Sequence, residues 1–260
     1  MIVPNRTPLY AGFSGSNTTN KGNNMKQVFS FYDVTGEAVK PWAKAGYQCV
    51  CFDIQNDDAV ETFPSGGTIT RAYADLHNPD FWINLMSEDN KGAVEMVFGF
   101  PVCTDLSTAG ARWWASKRAI NPRFQEEATT HARQVAEFAE YVGAPYIVEN
   151  PVGALSTLWR KPNFYFHPYE FGGYIPKGEE KHPQYSNYIE DSDRYFKRTG
   201  IWSNASFTKP MTRSVTPVPR DKNGMSKQFS KLGGKSDKTK NVRSATPRGF
   251  AIAIFENHNH

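Results

Sequence analysis

Short apolar runs alternate with helical stretches along most of this 260-residue chain, and polar residues stand where the runs end. From Lys26 onward, residues 27–32, 47–53, 68–75, 93–99 and 145–149 read as strands, the third weaker than the rest. Between them, residues 37–45 read as a helix stopped by Gly46, and residues 79–86 as a second. Residues 123–142 read as an amphipathic helix, with Ala128, Ala132, Val135, Ala136, Ala139 and Val142 on its apolar side. Strands separated by helices predict an α/β architecture with a doubly wound, mostly parallel sheet. Ligands of such sheets lie beyond the carboxyl ends of the strands. Asp33, Asp53, Asp75, Cys103 and Glu149 occupy those ends.

The length suits one domain, here residues 25–260, with an appendage. Residues 1–24, rich in Asn, Gly, Ser and Thr, read as a flexible N-terminal extension, and Met25 is a second possible start. No run of 18 apolar residues exists, which excludes a helical membrane span, and no secretory signal is visible. A cytoplasmic location is expected. The three cysteines lack disulfide-framework spacing. Cys49 and Cys51 share one face of the second strand, as buried small hydrophobes or, alternatively, as a two-ligand metal site.

The formal charge of +4 is unevenly spread. Residues 209–248 hold eleven Lys and Arg against two acids, an excess of nine positive charges. Its main part, a basic loop at about 209–242, reads either as a solvated loop or as a phosphate-binding arm.

Asp33 to Gly36 follows the first strand and opens a helix, a turn that brings backbone amides close to a ligand. Asp53 is placed to accept from both hydroxyls of a ribose, and Asp75 from an exocyclic amine; each acid would otherwise cap a helix. Cys103 follows a strand and Pro101, so its thiol stands at the cleft. A free thiol ionises near pH 8.5, so a nucleophilic role requires activation, for which a helix starting after Ser107 is available. Glu149 ends the neighbouring strand, and a carboxyl partly closed off from water can serve as an acid. The Asn150-Pro pair partly matches the tetrapeptide of amino-group methyltransferases, but Val152 and Gly153 replace its second proline and aromatic residue.

Together, Asp33 to Gly36, Asp53, Asp75, Pro101-Val-Cys103, Glu149-Asn-Pro and Arg243-Ser-Ala-Thr-Pro-Arg-Gly-Phe-Ala resemble the motifs of the cytosine carbon-5 DNA methyltransferases, and in particular their short, phage-type members. The resemblance extends to Gly110-Ala-Arg-Trp-Trp114 and Lys197-Arg-Thr-Gly-Ile-Trp202 and covers residues 28–256. Pro-Val-Cys departs from the usual Pro-Pro-Cys, the first glycine turn is short, and the large target-recognition region is reduced or absent.

The resemblance implies a Rossmann-like methyltransferase fold, S-adenosylmethionine as cofactor and cytosine in DNA as substrate, with no metal and no membrane. Cys103 would attack carbon 6 of the base, and Glu149 would hold ring nitrogen 3 and the exocyclic amine. Arg198 would bind a flanking phosphate or the base carbonyl. The cofactor would lie on Asp33, Gly36, Asp53, Ile54, Asp75, Leu76 and Pro101. The substrate would lie on Ser107, Arg112, Asn150, Lys197 and Thr199. If the chain is phage-encoded, its compartment is the host cytoplasm. Two other readings stand beside this one: a catalytically degenerate nucleic-acid-binding protein, and a methyltransferase acting on RNA or a free nucleotide.

Overall fold

The computed structural model describes residues 26–233 and 236–259. The expected extension over 1–24, Met25 and Lys235 lie outside the described residues. The chain gathers into two compact units: Met1–Val102 with Thr130–Val148, and Cys103–Thr129 with Glu149–His260.

The first unit is built on strands β1 (Gln27–Phe31), β2 (Gln48–Asp53), β3 (Ala59–Thr62), β4 (Thr68–Tyr73), β5 (Val94–Gly99) and the start of β6 (Tyr146–Pro151). They lie in the order β3-β4-β2-β1-β5-β6. β1 runs parallel to β2 and β5, β2 to β4, and β5 to β6. All five strands expected from the apolar runs are therefore present and parallel. The sheet is nevertheless mixed, because β3 pairs antiparallel with β4 through Ala59↔Arg71 and Thr62↔Thr68. β3 carries no apolar alternation, and three of its four residues are exposed, so hydrophobic patterning gave no sign of it.

Helix α1 (Lys40–Lys44) is shorter than expected, and α2 (Pro79–Leu85) starts under an Asn78 cap that accepts the Asp80 amide. Aromatic rings fill the core of this unit. Phe31 stacks on Phe52 at 5.3 Å between centroids and meets Trp82 at 4.8 Å, and Phe29 stacks on Phe138 of the long helix at 5.8 Å. All are fully or almost fully buried, each side chain contributing about 1.5–3 kcal/mol. Much of the chain's aromatic content is thus spent on packing. The six apolar positions expected on one side of the 123–142 helix are all buried.

The second unit contains α3 (Trp114–Ile120), the first turn of α4 (Phe124–Val142), α5 (Leu155–Leu158), β7 (Phe164–Phe166), β8 (Thr199–Ser203), α6 (Lys227–Ser230), α7 (Asp237–Ser244) and α8 (Arg248–His258). β7 and β8 pair antiparallel, Tyr165 opposite Gly200. Phe166 stacks on Phe250 at 4.1 Å, and buried Trp202 donates to the Arg160 carbonyl at 2.6 Å. The motif at 243–251 serves this core. Arg243 donates to the Leu232 carbonyl at 2.6 Å, Arg248 to the Glu179 and Lys181 carbonyls, and the Gly249 amide to buried Asp193 at 2.9 Å.

The basic stretch is neither a free loop nor a uniform one. Lys209 lies over Phe164, Arg213 over Tyr174, Arg220 over Phe196, Lys238 over Tyr188 and Arg243 over Phe229, with charge-to-centroid distances of 4.0–5.3 Å. Such contacts hold the stems of these side chains against the unit.

Candidate active site

Three side chains that sequence reading placed in one reaction are brought together in the second unit. Cys103 is half-buried, at the start of a turn whose Leu106 and Ser107 amides both donate to its carbonyl. Glu149, late in β6, and Lys197, just before β8, form an ion pair with Nζ 3.6 Å from Oε1. Their side chains are only 14% and 12% exposed. That spacing is Coulombic contact without a hydrogen bond, and Glu149 Oε1 has no hydrogen-bond donor among the described residues. A buried carboxylate oxygen lacking a donor is costly, so this atom is prepared to accept from a ligand.

Both charges act on the thiol. Burial pushes the Cys103 thiol above its ordinary value, the Glu149 carboxylate pushes it further, and the Lys197 ammonium pulls it back down. The resting sulfur is therefore a thiol at neutral pH, with one cation beside it that favours the thiolate.

The two segments that carry Cys103 and Glu149 are fastened to each other by backbone. Ser107 bridges Gly153, the Ala154 amide donates to the Leu106 carbonyl at 2.7 Å, and Thr108 donates to Val152 through both its amide and its hydroxyl. A Cβ on Gly153 would overlap the Leu106 carbonyl oxygen. This close approach is the reason for the glycine that breaks the amino-methyltransferase pattern. Gly153→Ala is therefore expected to separate the segments and to lower thermal stability by roughly 1–3 kcal/mol. A melting curve superimposable on wild type would contradict it.

The other expected substrate residues take different places. Ser107 caps the short 3-10 helix Thr108–Trp113, its hydroxyl accepting the Ala109 amide at 3.2 Å. Asn150 is fully buried beside Glu149 in sequence, and Thr199 is buried with its hydroxyl donating to the Lys197 carbonyl at 3.3 Å. Arg112 is exposed and stacks on Trp113. Arg198 is exposed and stacks on Tyr165, 4.5 Å from the ring centroid. Of two adjacent cations, Lys197 is the one turned to Glu149. Two basic neighbours in a sequence carry no sign of which faces inward. Tyr195, buried and held protonated by burial, Asp193 and Glu149 in that order, was not expected at all.

The expected cofactor residues all belong to the first unit. Asp33 is buried and shapes the turn: Oδ1 accepts the amides of Thr35 and Gly36, at 3.0 and 2.8 Å, and Oδ2 accepts the Ser30 hydroxyl. Gly36 takes φ +70°, a conformation most side chains avoid. Asp53 is buried with Oδ1 on the Gln55 amide at 2.8 Å; burial raises its carboxyl, the Gln55 amide lowers it, and Asp33 raises it. Asp75 is exposed and caps the His77 amide at 3.0 Å, Leu76 and Pro101 are buried, and Ile54 is 58% exposed.

Sequence reading missed Tyr32. It follows β1 directly and takes φ +61°, which costs a non-glycine residue about 1–3 kcal/mol. Its buried hydroxyl has no hydrogen-bond partner among the described residues. Burial, then Asp53, then Asp75 hold that phenol protonated. His131 lies 6.0 Å from the Tyr32 ring and 4.1 Å from His77. The one clue in the sequence was an aromatic residue at a strand end beside a polar turn.

Cys49 and Cys51 are fully buried, and burial raises both thiols. Cys49 faces the Val39 carbonyl and Cys51 the Asp33 carboxylate. Among the described residues no group of three or more His, Cys, Asp or Glu is placed to hold a metal, and no helix is long and apolar enough to cross a membrane.

No protein-family model matches the chain, and no curated protein matches it. One solved structure with partial likeness is an E. coli protein described as a suspected DNA modification methyltransferase encoded within a prophage. The identity is 10% and the TM-score 0.40, over 74% of this chain and 52% of that one. The chain spans about half the length of that structure, and a likeness at this level carries no weight for activity.

Proposed function

We propose that this protein transfers a methyl group from S-adenosylmethionine to carbon 5 of cytosine in DNA, on a Rossmann-like sheet, through a covalent adduct of Cys103. The observation that carries this reading is a half-buried thiol acted on by the charges of a buried carboxylate–ammonium pair, Glu149 and Lys197. A target base within a duplex must first be turned out of the stack, at a cost of a few kcal/mol.

The chemistry assigned to these residues is as follows. The Cys103 sulfur passes its proton to the Glu149 carboxylate and adds to carbon 6, forming a C–S bond, breaking the π bond between carbons 5 and 6 and moving its electrons toward carbon 5. Glu149, carrying the proton taken from the thiol, donates it in a hydrogen bond to ring nitrogen 3 and accepts from the exocyclic amine with its other oxygen, so that the charge developing in the ring is met by a hydrogen bond. Lys197 keeps Glu149 in place and favours the thiolate. Once carbon 5 carries its methyl group, transfer of the carbon 5 proton to a water molecule returns the electron pair to the ring, re-forms the π bond between carbons 5 and 6 and expels the Cys103 thiolate.

The first unit is suited to the cofactor on two grounds: an orphaned buried hydroxyl on Tyr32 and the buried carboxylate of Asp53 at a strand end. Asp53 would hold the ribose hydroxyls, Asp75 the adenine amine, and the turn after Asp33 would approach the cofactor with backbone amides. When bound, S-adenosylmethionine supplies the electrophilic methyl group. Asp53→Ala is expected to weaken its binding strongly with the fold intact, and calorimetry giving wild-type affinity would contradict that role.

The function as a whole is tested by incubating the protein with labelled cofactor and mixed-sequence DNA, then analysing nucleosides by mass spectrometry. Label in 5-methylcytosine is the expected result. Label in another nucleoside, or none, would overturn the proposal.

A further inference from the structure

From Tyr195 to Arg220 the chain carries five cations and no acid. Two of the five are neutralised, Lys197 by Glu149 and Arg213 by Glu256, and Lys209 lies over the Phe164 ring. Arg198 and Arg220 are exposed, and neither guanidinium forms a hydrogen bond or an ion pair among the described residues.

The two arginines come from different segments and are held at one group of rings. Arg198, at the entry to β8, lies over Tyr165 of β7, its guanidinium carbon 4.5 Å from the ring centroid. Arg220 lies over Phe196 at 4.7 Å. Phe196 meets the His167 ring at 5.6 Å and the Tyr169 ring at 5.2 Å, and His167 stacks on Tyr169. Both cations act on His167. Burial lowers its imidazole, Glu170 raises it, and Arg220 and then Arg198 lower it. One imidazole is thus within electrostatic reach of both guanidiniums.

The segment that delivers Arg220 is fastened to the same region by backbone. The Val215 amide donates to the Tyr169 carbonyl at 3.0 Å and the Val218 amide to the Arg194 carbonyl at 2.7 Å. Pro217 and Pro219 stiffen the chain that leads to Arg220. A side chain held in this way loses less freedom on binding than a free one. Arg198 also follows Lys197 directly, the residue paired with Glu149, so the ring group begins one residue from the proposed catalytic pair.

A guanidinium carries five N–H donors in a planar fork that matches phosphate oxygens. We infer that Arg198 and Arg220 form a clamp on the backbone phosphates of a nucleic-acid strand, held in place by Tyr165 and Phe196. Charge complementarity favours a polyanion over a second copy of this chain, which would bring the same two cations against each other. The inference rests on the polynucleotide substrate proposed above and names side chains that grip it.

The test is fluorescence anisotropy of a labelled single-stranded oligonucleotide across salt concentrations, on wild type, Arg198→Gln, Arg220→Gln, the double variant and Arg220→Lys. Both side chains are exposed, and melting curves verify that each variant folds. Each glutamine is expected to weaken binding and to lower the slope of log affinity against log salt by about 0.7, and the two together by about 1.4. Arg220→Lys keeps the charge but not the planar fork, so it should restore the slope without restoring the full affinity. Lys91→Gln, an equal loss of charge on the first unit, should bind as wild type. Wild-type binding by the double variant, full affinity in Arg220→Lys, or an equal loss in Lys91→Gln would overturn the inference. So would displacement of the oligonucleotide by cytidine monophosphate at equal phosphate concentration, since the pair would then take a free nucleotide. A protein that binds through both arginines yet transfers no methyl group refutes the proposed function and leaves the clamp standing. Intact transfer with unchanged binding by the double variant does the reverse.

Discussion

Cys103→Ser is expected to abolish methyl transfer while leaving the affinities for S-adenosylmethionine and DNA at wild-type values. The side chains are close in size, so binding surfaces persist, but a hydroxyl ionises far less readily than a thiol and cannot replace it as the nucleophile near neutral pH. The same exchange at Cys49 or Cys51 should leave transfer intact. Both are fully buried, and placing a hydroxyl there costs about 1–3 kcal/mol where it finds no partner. Parallel transfer assays and melting curves on the three variants separate a chemical role from a packing role. Transfer surviving in Cys103→Ser would end the carbon-5 mechanism.

The second large effect concerns the ion pair. Glu149→Gln should slow transfer by roughly 10²–10⁴-fold, the range for a group that handles protons in the transition state. The pair also predicts opposite changes in how Cys103 responds to pH. Burial and then Glu149 raise its thiol, whereas Lys197 lowers it. Removing the negative charge in Glu149→Gln should therefore move ionisation of Cys103 to lower pH, and removing the positive charge in Lys197→Met should move it to higher pH. The rate of Cys103 alkylation by a small haloacetamide, followed by peptide mass spectrometry across pH, reads this directly and does not depend on catalysis. Coincident profiles for the three proteins, or the reverse order, would show that the pair does not govern the thiol.

The parallel strands were legible because buried parallel strands are apolar almost throughout, and the long α4 because its alanines and valines recur at helical spacing. α3 and β3 were not legible, and for one physical reason. Neither presents an apolar face to a core, so neither carries a period that patterning can detect. Asp33, Asp53, Cys103 and Glu149 were visible as polar residues at strand ends, a position that topology makes informative. Lys197 and Arg198 were both named, yet their separate directions depend on the path of the backbone into β8. Tyr32 went unread because an aromatic residue at the end of an apolar strand looks like more of the strand. Its left-handed backbone and orphaned hydroxyl appear only in three dimensions.

The central claim is a covalent bond between the Cys103 sulfur and carbon 6 of cytosine. Oligonucleotides containing 5-fluorocytosine test it most directly, since after methylation carbon 5 has no proton to lose and the sulfur cannot leave. Wild-type protein incubated with such an oligonucleotide and S-adenosylmethionine should form a complex that survives denaturation, with the nucleotide mapped by peptide mass spectrometry to Cys103. A folded protein that binds the oligonucleotide and cofactor but forms no such complex, or forms one on another residue, would contradict the account.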